Sequence, residues 1–522
     1  MNKKKPKRVD VRSVMDKLSA ARRQKFYTSG APVSLLFLAI FVLFSSFILV
    51  WDGDTLHGLW HRQWGAFRPL LLTFSLMFVI SSVMGLYIAA YQPRVVKNHL
   101  RGGILLTTLL IMIVTVRIGV IYPQIPPYLI VVPVLILAIM MTIAYSQRFA
   151  LGLTPFLILI AALSQYENHN FNQQSFAVLF TTGIGMCITI LLLKEIRTRS
   201  KLIEVCSIAG LVIFAMAWLT GWWLRESPNP DIDISTTDIL INSAWAGGGA
   251  LAIGFIMQGL LPFIEKLFRT ATSLTLLDYG EATKPLLERL AMEAPGTFNH
   301  SWQIGMLAEA AANSIGANGL LCRVGSYYHD VGKLNKPRYF VENQGERLNQ
   351  HKELSPTMSR MIIVGHVKDG LELAREYKLP RVLHQFIATH HGTTLVEYFY
   401  HEATKQENAN GAAIAETDFR YPGPKPSSKE AAIIMLTDAV ESATRAMQDP
   451  TPNRIENIVH EVGQKRLQDG QFDDCDLTMR ELKLIEESLI KSLCGMYHGR
   501  IAYPKQEKNG KKKITTPAKS GV

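Results

Sequence analysis

Residues 327–333 read Tyr-Tyr-His-Asp-Val-Gly-Lys, and the adjacent histidine and aspartate are the centre of a longer series of potential metal ligands. In chain order the series is His300, His329, Asp330, His366, His390, His391 and Asp438. Imidazole and carboxylate donors together suit Mn, Fe, Zn, Co or Ni better than Ca or Mg. Such a set is too large for one ion with an open position and suits two ions that share a carboxylate. The pattern predicts a two-metal site for phosphate-ester hydrolysis.

The apolar spacing around these donors is helical, and no convincing alternating strand is present. We therefore predict an all-α domain. Its expected helices cover 301–315, 320–330, 355–367, 381–391, 428–447, 453–469 and 478–496. Ser355-Pro356 predicts a helix start, with an N-cap followed by proline at the first helical position. Long loops are expected at 335–354 and 402–426, and loops of that length in a compact domain are usually functional or disordered.

Asp438 lies in the apolar stretch Ile-Met-Leu-Thr-Asp-Ala-Val at 434–440. A buried, unpaired carboxylate there would cost several kcal/mol, so a metal is a natural partner. Taken singly, His300 or His366 is more often a structural or surface residue. The ordered set, with Lys333 four residues after His329, is hard to explain in that way, and we interpret it as a metal site.

The N-terminal half has a different composition. The chain is 48% hydrophobic although 19% of its residues are charged, an average that conceals an apolar region at 33–263 and a charged region at 264–522. Eight stretches are long and apolar enough to span a bilayer. They are 33–51, 70–91, 103–122, 128–145, 149–166, 176–193, 202–224 and 240–263. We predict a polytopic membrane bundle of about eight spans.

Basic residues predict the orientation of this bundle. The first 32 residues carry ten Lys/Arg against two Asp, and 504–522 carry six Lys against one Glu. Beside a membrane, such runs indicate topology and attraction to anionic headgroups rather than nucleic-acid binding. The predicted inner loops contain eight Lys/Arg and the outer loops three, which places the N-terminus and the C-terminal domain in the cytoplasm. Five cysteines without a CxxC motif fit a reduced compartment.

Five segments result from these patterns: a basic N-terminal segment at 1–32, a transmembrane region at 33–263, a juxtamembrane helical linker at 264–296, a catalytic domain at 297–503 and a basic flexible tail at 504–522. The linker is either a stalk or an element that relays motion. A transporter is disfavoured by the near absence of intramembrane charge: Glu204 lies at the start of its predicted span, and the position of Arg117 near an outer end would let it snorkel.

Several phrases give the chain a family resemblance. They are Ala294-Pro295-Gly296-Thr297-Phe298-Asn299-His300-Ser301, residues 327–333, Gly365-His366-Val367-Lys368-Asp369-Gly370, His390-His391-Gly392-Thr393-Thr394, residues 418–426 and Thr437-Asp438-Ala439-Val440-Glu441-Ser442-Ala443. The order of the motifs resembles the HD phosphohydrolase superfamily. More narrowly, residues 240–504 look like the seven-transmembrane HD family of bacteria, the PgpH-type cyclic di-AMP phosphodiesterases.

This resemblance implies two iron or manganese ions bridged by Asp330. The implied ligands of one ion are His300, His329 and Asp438, and those of the other are His366, His390 and His391. It also implies hydrolysis of cyclic di-AMP to pApA at an inner membrane. The expected partners are this substrate, the lipid bilayer and a second copy of the chain in a homodimer, with no stable nucleic-acid partner.

Further residues receive expected roles in this reaction. Lys333 would neutralise non-bridging phosphate oxygens, or else form a structural salt bridge. Arg420, Tyr421 and Lys425 would hold the second phosphate or an adenine. Glu441, one turn after Asp438, would orient a metal ligand or pair with Arg445.

Two rival functions remain open. An HD phosphodiesterase acting on cyclic di-GMP has the same chemistry, although Gly392-Thr393-Thr394 differs from the signature of that group. A non-catalytic nucleotide receptor would be favoured by the loss of a metal-ligating residue, and none is missing.

The family commonly has a large extracellular domain after its leading helix, where this chain has only Asp52 to Arg68.

Overall fold

A computed structural model describes most of the chain and shows an all-helical protein over the described residues. The described ranges are 31–50, 64–92, 95–96, 99–122, 130–164, 173–194, 196–226, 235–344, 350–410 and 414–498. Of the predicted basic N-terminal segment at 1–32, residues 1–30 lie outside these ranges, as does the whole predicted tail at 504–522, so both stay predictions. The chain divides into two compact units, residues 1–275 and 276–522, so the first unit extends twelve residues beyond the predicted end of the membrane region.

The described residues of the first unit form eight apolar helices in the order that the hydropathy pattern predicts. They are α1 (Ala31–Val50), α2 (Trp64–Tyr91), α3 (His99–Ile121), α4 (Val131–Ala144), α5 (Gln147–Ser164), α6 (Gln173–Leu192), α7 (Lys201–Arg225) and α8 (Thr236–Phe268). Five of them, namely α1, α2, α3, α7 and α8, are long and apolar enough to cross a membrane. The other three are shorter apolar helices. Exposed apolar side chains on the helices of this unit, such as Leu71 and Leu86 of α2, suit a lipid environment.

Helices α7 and α8 pack closely because glycines meet at their contact. A Cβ atom added to Gly210 would lie 2.8 Å from the carbonyl oxygen of Gly247, and one added to Gly247 would lie 2.8 Å from that of Gly210. Small residues at such a crossing let two backbones approach. A capping box formed by Ser235 and Asp238 starts α8. The glycine run at 246–250 therefore has a packing role.

Two expectations for the membrane unit require correction. Arg117 is buried, with 6% of its surface exposed, so it does not snorkel to an outer surface. The predicted juxtamembrane helical linker at 264–296 does not continue α8 as one helix. α8 ends at Phe268, Arg269 adopts a left-handed conformation (φ 54°), and a short helix follows at Ser273–Tyr279. The Glu265 carboxylate accepts hydrogen bonds from the Thr272 amide and the Thr275 hydroxyl, which fixes this bend.

The second unit is a helical domain. Its helices are α9 (Ser273–Tyr279, which begins in the first unit), α10 (Pro285–Glu293), α11 (Pro295–Ser314), α12 (Gly319–Tyr328), α13 (Pro356–Glu376), α14 (Arg381–Thr389), α15 (Glu397–Asn410), α16 (Lys429–Arg445), α17 (Pro452–Gln468) and α18 (Met479–His498). α11, α12, α14 and α16 pack together around a buried centre that includes Tyr328, Phe386 and Leu436.

All seven helices predicted for this unit are present. The Ser355 hydroxyl accepts a hydrogen bond from the Met358 amide and caps α13, as the Ser-Pro pair predicts. α11 begins six residues earlier than predicted, which places His300 inside it. α15 was missed, so the expected loop at 402–426 is helical up to residue 410. Its polar sequence has weak apolar periodicity, because little of it is buried.

Candidate metal centre

The His329-Asp330 pair lies where the backbone leaves helical geometry. α12 ends at Tyr328, and a 3-10 helix, Val331–Asn335, follows Asp330. Gly332 allows this turn to approach α13, because a Cβ there would lie 1.8 Å from the carbonyl oxygen of His366. The close approach brings His366 against Asp330: Nε2 of His366 lies 3.3 Å from Oδ1 of Asp330.

His366 and His390 present bare nitrogens to each other. Their Nε2 atoms are 3.1 Å apart, and both histidines are buried. Nδ1 of His366 donates to the carbonyl of Ile363, and Nδ1 of His390 donates to those of Phe386 and Ile387. A ring whose proton is on Nδ1 directs the lone pair of its Nε2 at the other ring. Such a pair of facing lone pairs needs a cation between or beside them.

His300 reaches the opposite side of Asp330 from α11. Its Nε2 lies 3.1 Å from Oδ1 of Asp438 and 3.7 Å from Oδ2 of Asp330. Its Nδ1 lies 2.6 Å from Oε2 of Glu441, one turn after Asp438 on α16. Glu441 is also 3.7 Å from Arg445, so both contacts expected of Glu441 are present. A carboxylate on the outer nitrogen of a histidine fixes the ring and raises its basicity as a ligand.

His329 and His391 complete the cluster. Nε2 of His329 lies 3.2 Å from Asp330 and 3.9 Å from Asp438, while its Nδ1 donates to the Ser326 carbonyl. Nδ1 of His391 lies 4.0 Å from Oδ2 of Asp438. His391 is the more open of the two, and the Tyr421 ring stacks on it with 4.3 Å between ring centroids. The structure therefore brings all seven predicted donors together.

Lys333 lies behind Asp330. Its Nζ is 2.7 Å from Oδ2 of Asp330 and 2.7 Å from Oε1 of Glu342. Glu342 also accepts a hydrogen bond from the Thr297 hydroxyl, and Asn343 bonds to the amide and the hydroxyl of Thr297. Of the two roles considered for Lys333, this geometry supports the salt bridge. Lys333 neutralises Oδ2 of Asp330, the oxygen that His300 and His329 also approach, while Oδ1 lies on the side of His366 and His390.

The donors fit two metal ions that share Asp330. One group consists of Asp330, His366, His390 and His391, and the other of His300, His329 and Asp330; within each group the ligand atoms lie within 4.8 Å of one another. Ligands bound at about 2.1 Å are themselves about 3 Å apart, close to several of these separations. Nε2 of His329 and Oδ1 of Asp330 are buried without a hydrogen-bond partner among the described residues. A metal ion would satisfy both atoms.

The electrostatic field of the cluster separates its histidines into two kinds. Burial lowers the pKa of His366 to about 3, with neighbouring His390 adding to the effect. Burial and the charges of His390 and His366 likewise hold the pKa of His391 well below its usual range. Burial alone would also lower the pKa of His329, but Asp330 and Asp438 outweigh it and raise that pKa to about 10. The same competition, with Asp438 and Glu441, raises the pKa of His300.

The acids stay ionised despite their burial. Desolvation favours the neutral acid, but Lys333 and His329 hold the pKa of Asp330 well below its usual range, and His300 and His329 do so for Asp438. Lys333 stays protonated, because Asp330 and Glu342 raise its pKa against the effect of burial. The centre therefore keeps its negative charge on the two aspartates at neutral pH.

Tyr421, Arg420 and Lys425 were expected to contact substrate, and their surroundings in the structure differ from one another. Tyr421 lies beside His391. The guanidinium of Arg420 is occupied by Asp469, at 2.9 and 3.0 Å, and by Glu416, while Lys425 lies 3.4 Å from Asp473. These ion pairs favour structural roles for Arg420 and Lys425. Sequence reasoning missed Glu342, which lies in a 3-10 segment with no periodic pattern to mark it.

An all-helical domain with two histidine groups around one aspartate, preceded by apolar helices, defines a class of membrane-attached HD hydrolases. A family described as "7TM receptor with intracellular HD hydrolase" matches residues 67–272, and the HD domain matches 297–443. The two matches follow each other along the chain, a seven-transmembrane region and then an HD domain, and the chain is a multi-pass membrane protein. HD domains bind divalent metals, and the His/Asp cluster described above is present in the matched range.

Named relatives support the assignment. The chain is 37% identical over 382 residues to the cyclic-di-AMP phosphodiesterase PgpH of Bacillus subtilis (strain 168), covering 73% of this chain and 52% of that protein. It is 37% identical over 373 residues to PgpH of Listeria monocytogenes serotype 1/2a (strain 10403S), covering 71% and 47%. The chain thus spans about half the length of these curated relatives.

A solved structure of the L. monocytogenes PgpH HD domain in complex with cyclic-di-AMP is also similar. The sequence identity is 46%, with 42% of this chain and 100% of that chain covered and a TM-score of 0.40.

Proposed function

We propose that this chain is a membrane-bound, metal-dependent phosphodiesterase that hydrolyses cyclic di-AMP to pApA. The observation that carries this proposal is the sharing of Asp330 between two groups of imidazoles, with Nε2 of His366 and Nε2 of His390 facing each other at 3.1 Å. The substrate is proposed from the two relatives named above, both of which are cyclic-di-AMP phosphodiesterases. The supporting sequence match includes every residue of the donor set up to Asp438.

The proposed ligands divide as the two groups do, with Asp438 joining His300 and His329 through its 3.1 Å approach to His300. Iron or manganese suits nitrogen-rich sites with shared carboxylates. When bound, two such ions supply hydroxide near neutral pH and stabilise charge on both the attacking and the leaving oxygen of a phosphodiester. The open side of the cluster is the side of His391, the most exposed of its histidines.

The chain's own residues prepare the centre for this chemistry. Lys333 holds Asp330 ionised and oriented. Glu441 fixes the ring of His300, so that its Nε2 faces the centre. Tyr421, buried and stacked on His391, fixes the orientation of that ring. None of these contacts needs to form during the reaction, and preorganised groups of this kind are the ones that lower a reaction barrier.

The substrate test uses the full chain in detergent or nanodiscs, loaded with Mn²⁺ or with Fe²⁺ under reducing conditions. Cyclic di-AMP, cyclic di-GMP and linear dinucleotides are offered, and the products are resolved by chromatography. We expect cyclic di-AMP to give pApA. Turnover of cyclic di-GMP alone would overturn the substrate, and turnover unchanged by Asp330→Ala would overturn the site.

We also propose that the HD domain is cytoplasmic, which the excess of basic residues in the predicted inner loops supports. The test is a pair of reporter fusions after residue 498, one to a fluorescent protein that matures only in the cytoplasm and one to alkaline phosphatase. Fluorescence without phosphatase activity is expected. The reverse result would contradict this topology.

A further inference from the structure

Arg466, near the end of α17, has an unusual environment for an arginine. Its Nε is buried and has no hydrogen-bond partner among the described residues, and no ion pair joins its guanidinium to a carboxylate of the described part of the chain. A guanidinium carries five N–H donors in a planar fork; the side chain of Arg466 is half-buried, and leaving its buried Nε–H unpaired is unfavourable. Arg420 and Lys425, by contrast, already have carboxylate partners.

The acidic groups near Arg466 are each engaged by another cation or donor. The groups that raise the pKa of the Arg466 guanidinium, against the lowering effect of burial, are Asp438, Glu397, Asp469 and Tyr421. Asp438 contacts His300 at 3.1 Å, Glu397 contacts Lys465 at 2.5 Å, and Asp469 contacts Arg420 at 2.9 Å. Arg466 therefore contributes a positive charge that acts electrostatically on Asp438 and Tyr421 and that forms no ion pair within the described residues.

The end of α17 is fixed rigidly to the turn that carries His391. The Gln471 side chain accepts from the Thr393 amide at 3.0 Å and donates to the Thr393 hydroxyl at 2.9 Å. The Arg420 guanidinium bridges the Thr393 carbonyl and Asp469, closing the same connection. Arg466 is one turn before these contacts, so its backbone position relative to His391 is set by the fold.

We propose that Arg466 binds one of the two phosphates of the cyclic dinucleotide, namely the phosphate that is not hydrolysed, near Tyr421. This inference rests on the proposed function. A cyclic dinucleotide has two phosphodiesters, and only one of them can lie at the metal centre. The guanidinium fork suits the two free oxygens of the other, and a phosphate oxyanion would satisfy the donors that the free protein leaves unpaired.

The test compares two substrates on the full chain in detergent. Cyclic di-AMP has two phosphates, whereas bis(4-nitrophenyl) phosphate has one and no purine. For Arg466→Gln we expect the KM for cyclic di-AMP to rise about 10–100-fold, the range for losing a charged hydrogen bond. Hydrolysis of bis(4-nitrophenyl) phosphate and the metal content should stay within about twofold of the wild type, because the metal centre is intact. Arg466→Lys, which keeps the charge but not the fork, should recover part of the loss.

The matched control is Arg454→Gln, which removes an exposed arginine from the other end of α17. Its guanidinium bonds only to the Asp449 carbonyl among the described residues, so the KM should not change. If Arg466→Gln loses its metal, Arg466→Lys carries the comparison, with a raised KM for cyclic di-AMP at full metal content as the expected result.

The outcomes separate the two proposals. A wild-type chain that cleaves bis(4-nitrophenyl) phosphate but not cyclic di-AMP would overturn the proposed function, and the role of Arg466 with it. An active wild type with an unchanged KM in the Arg466 variants would overturn only the inference. Equal losses on both substrates would also overturn it, because they would place Arg466 at the hydrolysed phosphate or in the general structure.

Discussion

Glu441 and His300 are in contact across 141 residues of sequence: Oε2 of the glutamate lies 2.6 Å from Nδ1 of the histidine. Both side chains are buried, and Nε2 of the same histidine faces Asp438 and Asp330. The contact therefore joins an outer carboxylate to the centre of the donor cluster. It also fixes the rotation of α11 relative to α16, two helices that are far apart in the sequence.

The first prediction concerns this contact. Glu441→Gln should lower metal affinity roughly 10–100-fold, because a neutral amide no longer enhances the basicity of His300 as a ligand. Affinity is measured by competition with a metallochromic chelator. The control is Arg445→Gln, which removes the more distant 3.7 Å partner of Glu441 and should change affinity far less. Equal affinity in Glu441→Gln and the wild type would contradict the assigned role.

The second prediction concerns the shared carboxylate. Asp330→Asn should reduce the metal content from about two ions per chain to nearly none, because both groups lose their common ligand. Asp438→Asn should leave about one ion, since Asp438 contacts only the His300 and His329 side at less than 4 Å. Elemental analysis of protein purified without oxygen measures both contents. Retention of two ions by Asp330→Asn would show that the aspartate is not shared.

The third prediction concerns Lys333 and stability. Lys333→Met leaves the carboxylates of Asp330 and Glu342 buried without their cation, and should destabilise the metal-free chain by about 3–5 kcal/mol. The measurement is thermal unfolding in detergent, read as a lower Tm. In the double variant with Glu342→Gln the loss should be smaller than the sum of the single losses, because one stranded charge is removed. An unchanged Tm in Lys333→Met would contradict the buried ion pair.

The fourth prediction concerns pH. In the metal-free chain Asp330 and Asp438 raise the pKa of His329 to about 10, so His329 carries a proton at neutral pH that a metal ion must displace, and the pKa of His300 is raised in the same direction. Metal affinity should therefore rise with pH between about 7 and 10, with proton release visible as a buffer-dependent heat in calorimetry. Affinity that is constant over this range, with no proton release, would contradict it.

The same two histidines predict an opposite trend for the stability of the metal-free chain. Their folded pKa values are raised above the unfolded value of about 6.5, so their contribution is fully present below that pH and is lost as the pH rises toward about 10. The Tm of metal-free protein should fall over this range. Metal-loaded protein, whose histidines are already deprotonated, serves as the control and should not show the fall.

Much of the helix content follows from local sequence patterns. Ser355 before Pro356 predicted the start of α13, and the apolar run around Asp438 predicted α16, because capping and amphipathic periodicity act over one or two turns. The eight apolar stretches were predicted for the same reason, since hydrophobicity over about 20 residues is a local property. α15 was missed, because most of its face is solvated.

The sequence predicted the metal-binding side chains of the candidate site, but not the residues that hold those side chains in place. The ordered histidines and aspartates are recognisable as residue types. Glu342 is not, because a carboxylate in an irregular segment looks like any surface acid until Lys333 is found beside it. Arg420 and Arg466 are a similar case. Only the contact of Arg420 with Asp469 shows which of the two guanidiniums is already paired.

The sequence by itself determined the donor set, the helical class of both halves and the membrane character of the first, because these depend on residue chemistry and short-range periodicity. The tertiary structure alone decided which nitrogen of each histidine faces inward, which oxygen of Asp330 faces each group of histidines, and which cations form ion pairs. Those properties depend on distances between helices far apart in the chain. Packing sets such distances, as where Gly332 lets the turn after Asp330 touch the backbone at His366.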